Sequence, residues 1–228
     1  MPAAKKAVAK RQAKPDYTAP ARLKMIFTAL DRLFPRAECA LLHENAFQLL
    51  VATILSAQCT DERVNKVTPG LFQKYPTPQD FAAVRPEALA EDIRSTGFFN
   101  NKAKSIVGAA SEIVGRFGGQ VPRTMEELLA LPGVARKTAN VVLGTAYGIA
   151  TGVVVDTHVF RVSHRLKLSV ANTPEKTEQD LIKIIPKHRW ISFGHQVIWF
   201  GRKVCQARKP LCITCPLEKT CDSPNKIV

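Results

Sequence analysis

Alternating apolar and polar runs are nearly absent from this chain, which sets aside the sandwiches and barrels that need many half-buried strands. Acids are scarce as well: 19 Asp and Glu stand against 33 Lys and Arg, a net charge of +14. That imbalance is the footprint of a polyanion binder. A basic membrane-surface protein would share it, but no cationic helix with a concentrated apolar face stands out, and the charge is spread over loops and helices, so nucleic acid is the favoured partner. No secretory segment is present, and outside one short stretch only Cys39 and Cys59 occur, in apolar helical contexts, which weighs against a disulfide framework. Residues 138–155 carry no charge and are numerous enough to raise the question of a membrane helix. Gly144, Gly148, Gly152, Asn140 and three threonines interrupt that run, so the sequence predicts a soluble helix ending near Gly148, then a buried connection.

The 228 residues suffice for one large or two modest domains, and 46% apolar residues suffice for a core. Lys5, Lys6, Lys10, Arg11 and Lys14 lie among alanines with no acid before Asp16, a pattern that predicts a disordered basic arm over residues 1–14; a transit peptide would carry more Arg and Ser. Elsewhere the period is helical, as in Leu23, Ile26, Phe27, Leu30, Leu33 and Phe34, in Phe47, Leu50, Val51, Ile54 and Leu55, or in Ala103, Ile106, Val107, Ala110, Ile113, Val114 and Phe117. Each set predicts one apolar stripe. Only residues 153–155 suggest a strand, so the expected architecture is all-α, without internal repeats.

Cys205, Cys212, Cys215 and Cys221 form C-x6-C-x2-C-x5-C. Thiolates select zinc or an iron–sulfur cluster. Zinc ribbons present two tight pairs, whereas only Cys212 and Cys215 make one here, and the longer spacers favour a [4Fe–4S] cluster over a single zinc.

Residues 124–142 read as helix, hairpin, helix. Thr124 and Glu127 suit a capping box, Pro132-Gly133 turns the chain, and a second helix begins near Ala135. Its first backbone N–H groups lack intrahelical partners and suit a DNA phosphate, although an ordinary helical corner looks much the same. Lys137 falls in that first turn, where the macrodipole disfavours a cation and helps a partly buried amine lose its proton. Downstream, Asp156 opens Asp-Thr-His-Val-Phe-Arg-Val and offers a carboxylate to a nucleophilic amine or a developing sugar cation. A solvated lysine and a simple N-cap remain open as the plainer alternatives.

LPGVARKTANVV, VDTHVFRV, LSAQCTDERVN and the cysteine loop together resemble the endonuclease III family of DNA glycosylases, over roughly residues 21–222. The resemblance implies a two-domain helix-hairpin-helix glycosylase fold: a six-helix domain at residues 39–150, and a cluster domain at 15–38 and 151–228 holding [4Fe–4S] on the four cysteines. It implies a monomeric, cytoplasmic bacterial enzyme of base excision repair, not bound to membranes, that removes oxidised pyrimidines from double-stranded DNA and cleaves abasic sites. Lys137 would be the Schiff-base nucleophile and Asp156 its carboxylate. Gln58 and Phe98 would contact DNA by entering the gap left by a flipped nucleotide, Gly133, Val134, Ala135, Arg208 and Lys209 would contact DNA as well, and Asp61 and His158 would line the pocket. Phe98 stands where the family has leucine, Ala135 replaces the second glycine of the hairpin, and one extra residue separates Lys137 from Asp156. An adenine glycosylase is the enzymatic alternative, but it lacks a lysine at this position; a non-catalytic DNA-binding module is the other.

Overall fold

The computed structural model describes residues 16–224 and 226–227, so the basic arm at 1–14 lies outside the described residues. The described chain contains eleven α-helices, three short 3-10 turns and no strand. In order these are α1 (Pro20–Leu33), α2 (Ala46–Leu55), α3 (Asp61–Lys74), α4 (Pro78–Ala83), α5 (Pro86–Asp92), α6 (Phe99–Phe117), α7 (Met125–Leu129), α8 (Arg136–Tyr147), α9 (Thr157–Arg165), α10 (Pro174–Ile184) and α11 (Trp190–Lys203). No described helix is long and apolar enough to cross a membrane.

Local chemistry sets most boundaries. Asn45, Thr60, Thr77, Thr124, Asp156 and Thr173 each accept a backbone N–H from the first turn of the following helix, satisfying donors that have no intrahelical partner. The reciprocal capping box forms at Thr77 and Asp80. At Thr124 only half of the expected box forms: Glu127 N–H reaches Thr124 Oγ1 at 3.2 Å, but the Glu127 carboxylate takes the Thr124 hydroxyl at 2.7 Å rather than its backbone N–H. At the other end of the hairpin unit, α8 stops where expected. Gly148 adopts φ +67° and Ile149 N–H returns to Leu143 O at 2.9 Å, the left-handed stop that glycine tolerates best.

Two apolar clusters result. One gathers α2 through α8 around Leu49, Leu50, Leu55, Phe81, Ile93, Ile106 and Leu143; the other gathers α1 with α9, α10 and α11 around Ile26, Leu30, Val159, Val162, Phe193 and Phe200. The α6 stripe is as expected, with Ala103, Ile106, Ala110 and Ile113 buried. Two stripes differ. Leu33 is exposed at the end of α1, and α2 buries Phe47 and every residue from Leu49 to Leu55, as a helix does when it is enclosed on all sides. Residues 153–155, outside any helix, cross between the clusters, Val153 and Val155 entering the second and Val154 packing on the first. Their strand-like alternation thus serves two cores and no sheet.

Candidate active site

Between the clusters runs a cleft of about 1100 Å³, to which Lys137, Asp156, Gln58, Asp61 and His158 all contribute. The hairpin that delivers Lys137 is anchored by Leu131 and Val134, both buried. Gly133 sits at φ +74°, and a Cβ there would come within 2.4 Å of Ser105 Cβ, so no side chain fits. Ala135 has φ −92° and ψ 169°, ordinary extended backbone that needs no glycine. It also supplies no side-chain cap, which leaves the first N–H groups of α8 free of a side-chain acceptor. Lys137, expected to be partly buried, is exposed to the cleft. It makes no hydrogen bond or ion pair among the described residues.

Its neighbour Arg136 faces the other way. The guanidinium holds Glu178 of α10 through Nε–Oε2 at 2.8 Å and Nη2–Oε1 at 3.1 Å, and Asn140 Nδ2 donates to the same carboxylate at 3.0 Å. Thr151 Oγ1 donates to Asn140 Oδ1 at 2.8 Å. The Glu178 side chain is 5% exposed, and the hydrogen bonds to it, helped by its charge, hold the Arg136 guanidinium above the usual range against the opposing effect of burial. The helix carrying Lys137 is thereby fastened to the second cluster.

Asp156 is the N-cap of α9, as its plainer reading held: Oδ1 accepts from His158 N–H and Val159 N–H, both at 2.8 Å. Oδ2 makes no hydrogen bond among the described residues, and the carboxylate lines the cleft with Lys137 without pairing to it. His158 Nδ1 lies 3.2 Å from Arg161 Nη2. Burial pushes the His158 imidazole below its usual range, and the Asp156 charge opposes that shift. Asp61 is not a free acid, because Arg202 Nη2 reaches its Oδ2 at 2.6 Å and links α3 to α11. Arg202, Trp199 and His195 also line the cleft, and burial pushes His195 down. Sequence reasoning missed all three, as it missed Arg136 and Glu178. For Glu178 a signal existed: it stands beside Thr177 and three positions before Leu181, on the buried stripe of α10.

Of the DNA-contact candidates Gln58 alone lines the cleft, while Phe98, Gly133, Val134, Ala135, Arg208 and Lys209 lie outside its lining. Gln58 is exposed with φ +53°, Phe98 is 63% exposed with φ +49°, and Phe99 next to it packs against the first cluster. Arg208 and Lys209 are exposed on the cysteine loop. There, Cys205, Cys212, Cys215 and Cys221 line one cavity with Leu166, Phe200, Val204 and Leu217. None is in a disulfide. Burial raises the Cys215 thiol, and the sulfurs of Cys205, Cys221 and Cys212 add to the rise; holding that group as a thiolate would take a cationic guest. Arg165 donates to Cys205 Sγ at 3.3 Å, Gln206 O at 2.7 Å and Ala207 O at 2.8 Å, fixing the loop's first arm. Among the described residues no three His, Cys, Asp or Glu side chains converge as ligands of a single ion. The four sulfurs frame a space, and the donor set fits an iron–sulfur cluster.

Residues 51–187 match the family described as HhH-GPD superfamily base excision DNA repair protein. Endonuclease III of Synechocystis sp. is 56% identical over 202 residues, which span 89% of this chain and 92% of that protein. The chain belongs to the endonuclease III family. The family member from Bacillus subtilis is 47% identical over 208 residues, 90% of this chain and 94% of the other. Among solved structures, a trapped endonuclease III–DNA covalent intermediate matches with a TM-score of 0.85 and 46% identity, over 89% of this chain and 95% of its own. Within the endonuclease III fold, then, this chain carries a lysine and a carboxylate in one cleft, with a four-cysteine cavity in the second cluster.

Proposed function

We propose that this protein is a bifunctional DNA glycosylase and AP lyase of base excision repair that acts on oxidised pyrimidines in duplex DNA. The two apolar clusters are read as its two domains, with DNA lying across the cleft. The observation that carries the proposal is the pairing of an unengaged amine, Lys137, with the carboxylate of Asp156 in that cleft. The net charge of +14 supplies attraction to phosphate. A family member has been captured as a covalent intermediate with DNA, which supports an enzyme-linked intermediate here.

The damaged base is out of reach inside the duplex and must be flipped out, at a cost that is least for a lesion that stacks poorly. Lys137 Nζ attacks the sugar C1′, the glycosidic bond breaks, and the base leaves with the bonding pair. Asp156 Oδ2, the oxygen not engaged by α9, takes the amine proton or balances positive charge on the sugar. Ring opening gives an iminium on Lys137. That iminium acidifies C2′–H, loss of the proton expels the 3′ phosphate by β-elimination, and water releases the enzyme. When bound, the [4Fe–4S] cluster supplies metal–thiolate bonds that order the loop bearing Arg208 and Lys209. His158 and Asp61 shape the pocket wall, the latter through Arg202.

Borohydride trapping tests the assignment. Wild-type protein should become covalently linked to a duplex bearing one thymine glycol, and Lys137→Gln should lose both trapping and strand cleavage while retaining DNA binding. Trapping of Lys137→Gln at wild-type yield refutes it. Base release by the wild type without any trapping would favour the monofunctional adenine-glycosylase alternative.

A further inference from the structure

Two exposed loops each hold a non-glycine residue in left-handed backbone, Gln58 at φ +53° and Phe98 at φ +49°, a conformation that persists only where the surroundings impose it. Beneath both lies Lys102 of α6, 5% exposed. Its Nζ donates to Leu55 O at 2.8 Å and to Thr96 O at 2.8 Å. Leu55 ends α2, three residues before Gln58; Thr96 ends a 3-10 turn, two residues before Phe98. Neither carbonyl accepts another hydrogen bond among the described residues. One buried ammonium therefore satisfies the last turn of one element and the end of another, and each is the root of a loop.

We propose that Lys102 is a positioning residue that couples the Gln58 and Phe98 loops, so that both side chains enter the space left by a flipped nucleotide as one unit. The inference rests on the glycosylase reading above. An apolar side chain would fill the same volume, but it would leave the loop ends independent and two buried carbonyls without donors. Burial pushes the Lys102 ammonium below the ordinary lysine range, so the protein bears a desolvation penalty there that packing alone does not require. An ammonium aimed at the carbonyl end of α2 also meets the favourable end of the helix dipole.

The test uses the whole holoprotein and a duplex carrying one thymine glycol flanked by 2-aminopurine, whose fluorescence rises on unstacking. Lys102→Met removes both donors while keeping the stem. It should slow the fluorescence rise and lower duplex excision at least tenfold, while cleavage of a preformed abasic site in single-stranded DNA stays within about twofold. Lys102→Arg, which keeps donors, should recover part of the loss. Equal losses on both substrates, or an unchanged fluorescence rise, overturn the proposal in favour of a packing role. Should Lys102→Met fail to fold, a cycle of Gln58→Ala and Phe98→Ala with Lys102 intact decides: the double variant should unstack DNA hardly slower than either single one, and multiplicative losses overturn the coupling. A wild type that cleaves neither substrate overturns the glycosylase reading itself, a result distinct from a wild type that cleaves both while Lys102→Met behaves identically.

Discussion

Replacing Glu178 by alanine removes the acceptor that Arg136 and Asn140 share. Breaking a buried ion pair from one side costs about 3–5 kcal/mol, because the remaining charge is stranded. Here the stranded partner is the guanidinium, whose side chain is 37% exposed against 5% for Glu178. It can turn toward water, so the cost falls near the lower bound, about 3 kcal/mol. For a chain of this size each kcal/mol moves the melting temperature by about 2–4 °C, which places Glu178→Ala about 6–12 °C below wild type. Gly152 sharpens the test. A Cβ at that position would lie 1.8 Å from Glu178 Oε1 and 3.0 Å from Asn140 Nδ2, so Gly152→Ala must push the carboxylate off its partners. Once residue 178 is alanine the severe obstruction is gone and only the Asn140 amide, which has then lost its carboxylate partner, must shift by a few tenths of an ångström; Gly→Ala then stabilises by up to about 0.4–1 kcal/mol through the unfolded chain. Gly152→Ala is therefore expected to lower the melting temperature of the wild type and to leave unchanged or raise that of Glu178→Ala, a reversal of sign that measures their coupling. Circular dichroism melts of the cluster-loaded protein at one scan rate provide the assay, with exposed Gln179→Ala as the control. Destabilisation by Gly152→Ala in both backgrounds would refute the reasoning, as would a Glu178→Ala melt within 2 °C of wild type.

Purified protein should be yellow-brown with about four iron atoms per chain, and Cys212→Ser should lose the visible absorbance and loosen the second cluster of helices; stoichiometric zinc instead of iron would contradict the assignment. Stability should also fall on mild acidification. Burial lowers both His158 and His195 in the folded protein, while the unfolded chain titrates near ~6.5, so below that value the unfolded state binds more protons. Stability is then complete above about pH 6.5 and declines as the pH falls toward the lowered folded values. Melting temperatures between pH 7.5 and 5.5 should show this decline, and His195→Gln should flatten it; a slope unchanged in the variant removes His195 from the account.

Much of the site was legible because its signals are local. Gly148 ends α8 at positive φ, Gly133 turns the hairpin, and four cysteines at short spacing reach one cavity. Each depends on backbone freedom or ligand chemistry that a few consecutive residues determine. Misjudged or missed features depend on contacts between distant segments. Arg136 and Glu178 are 42 residues apart, and Asp61 and Arg202 are 141 apart; nothing near either residue in the chain names its partner. The same holds for the exposure of Lys137, which lines a cleft walled by distant segments, and for α2, whose second apolar face is explained only by the helices around it. The capping box at Thr124 failed for a subtler reason. The Glu127 carboxylate accepts from the Thr124 hydroxyl instead of the Thr124 backbone N–H, a choice between two donors on one residue that the spacing leaves open.

The sequence treats its helix starts unequally. Most helices here begin with a side-chain cap, and α1 and α5 begin with proline, which removes one of the donors a cap would serve. The starts with neither are those of α6, α8 and α11, the last running directly out of a 3-10 turn. The other two follow Phe98 and Ala135. Neither phenylalanine nor alanine offers an oxygen to the first-turn N–H groups, so both helices start without a side-chain acceptor. Asp156 does the reverse across the cleft. By spending Oδ1 on the second and third amides of α9, those of His158 and Val159, it fixes its own rotamer and leaves Oδ2 as the oxygen with lone pairs to give. Capping and the proposed chemistry are thus compatible for Asp156, because the cap engages Oδ1 and leaves Oδ2 for the role the proposed mechanism gives it.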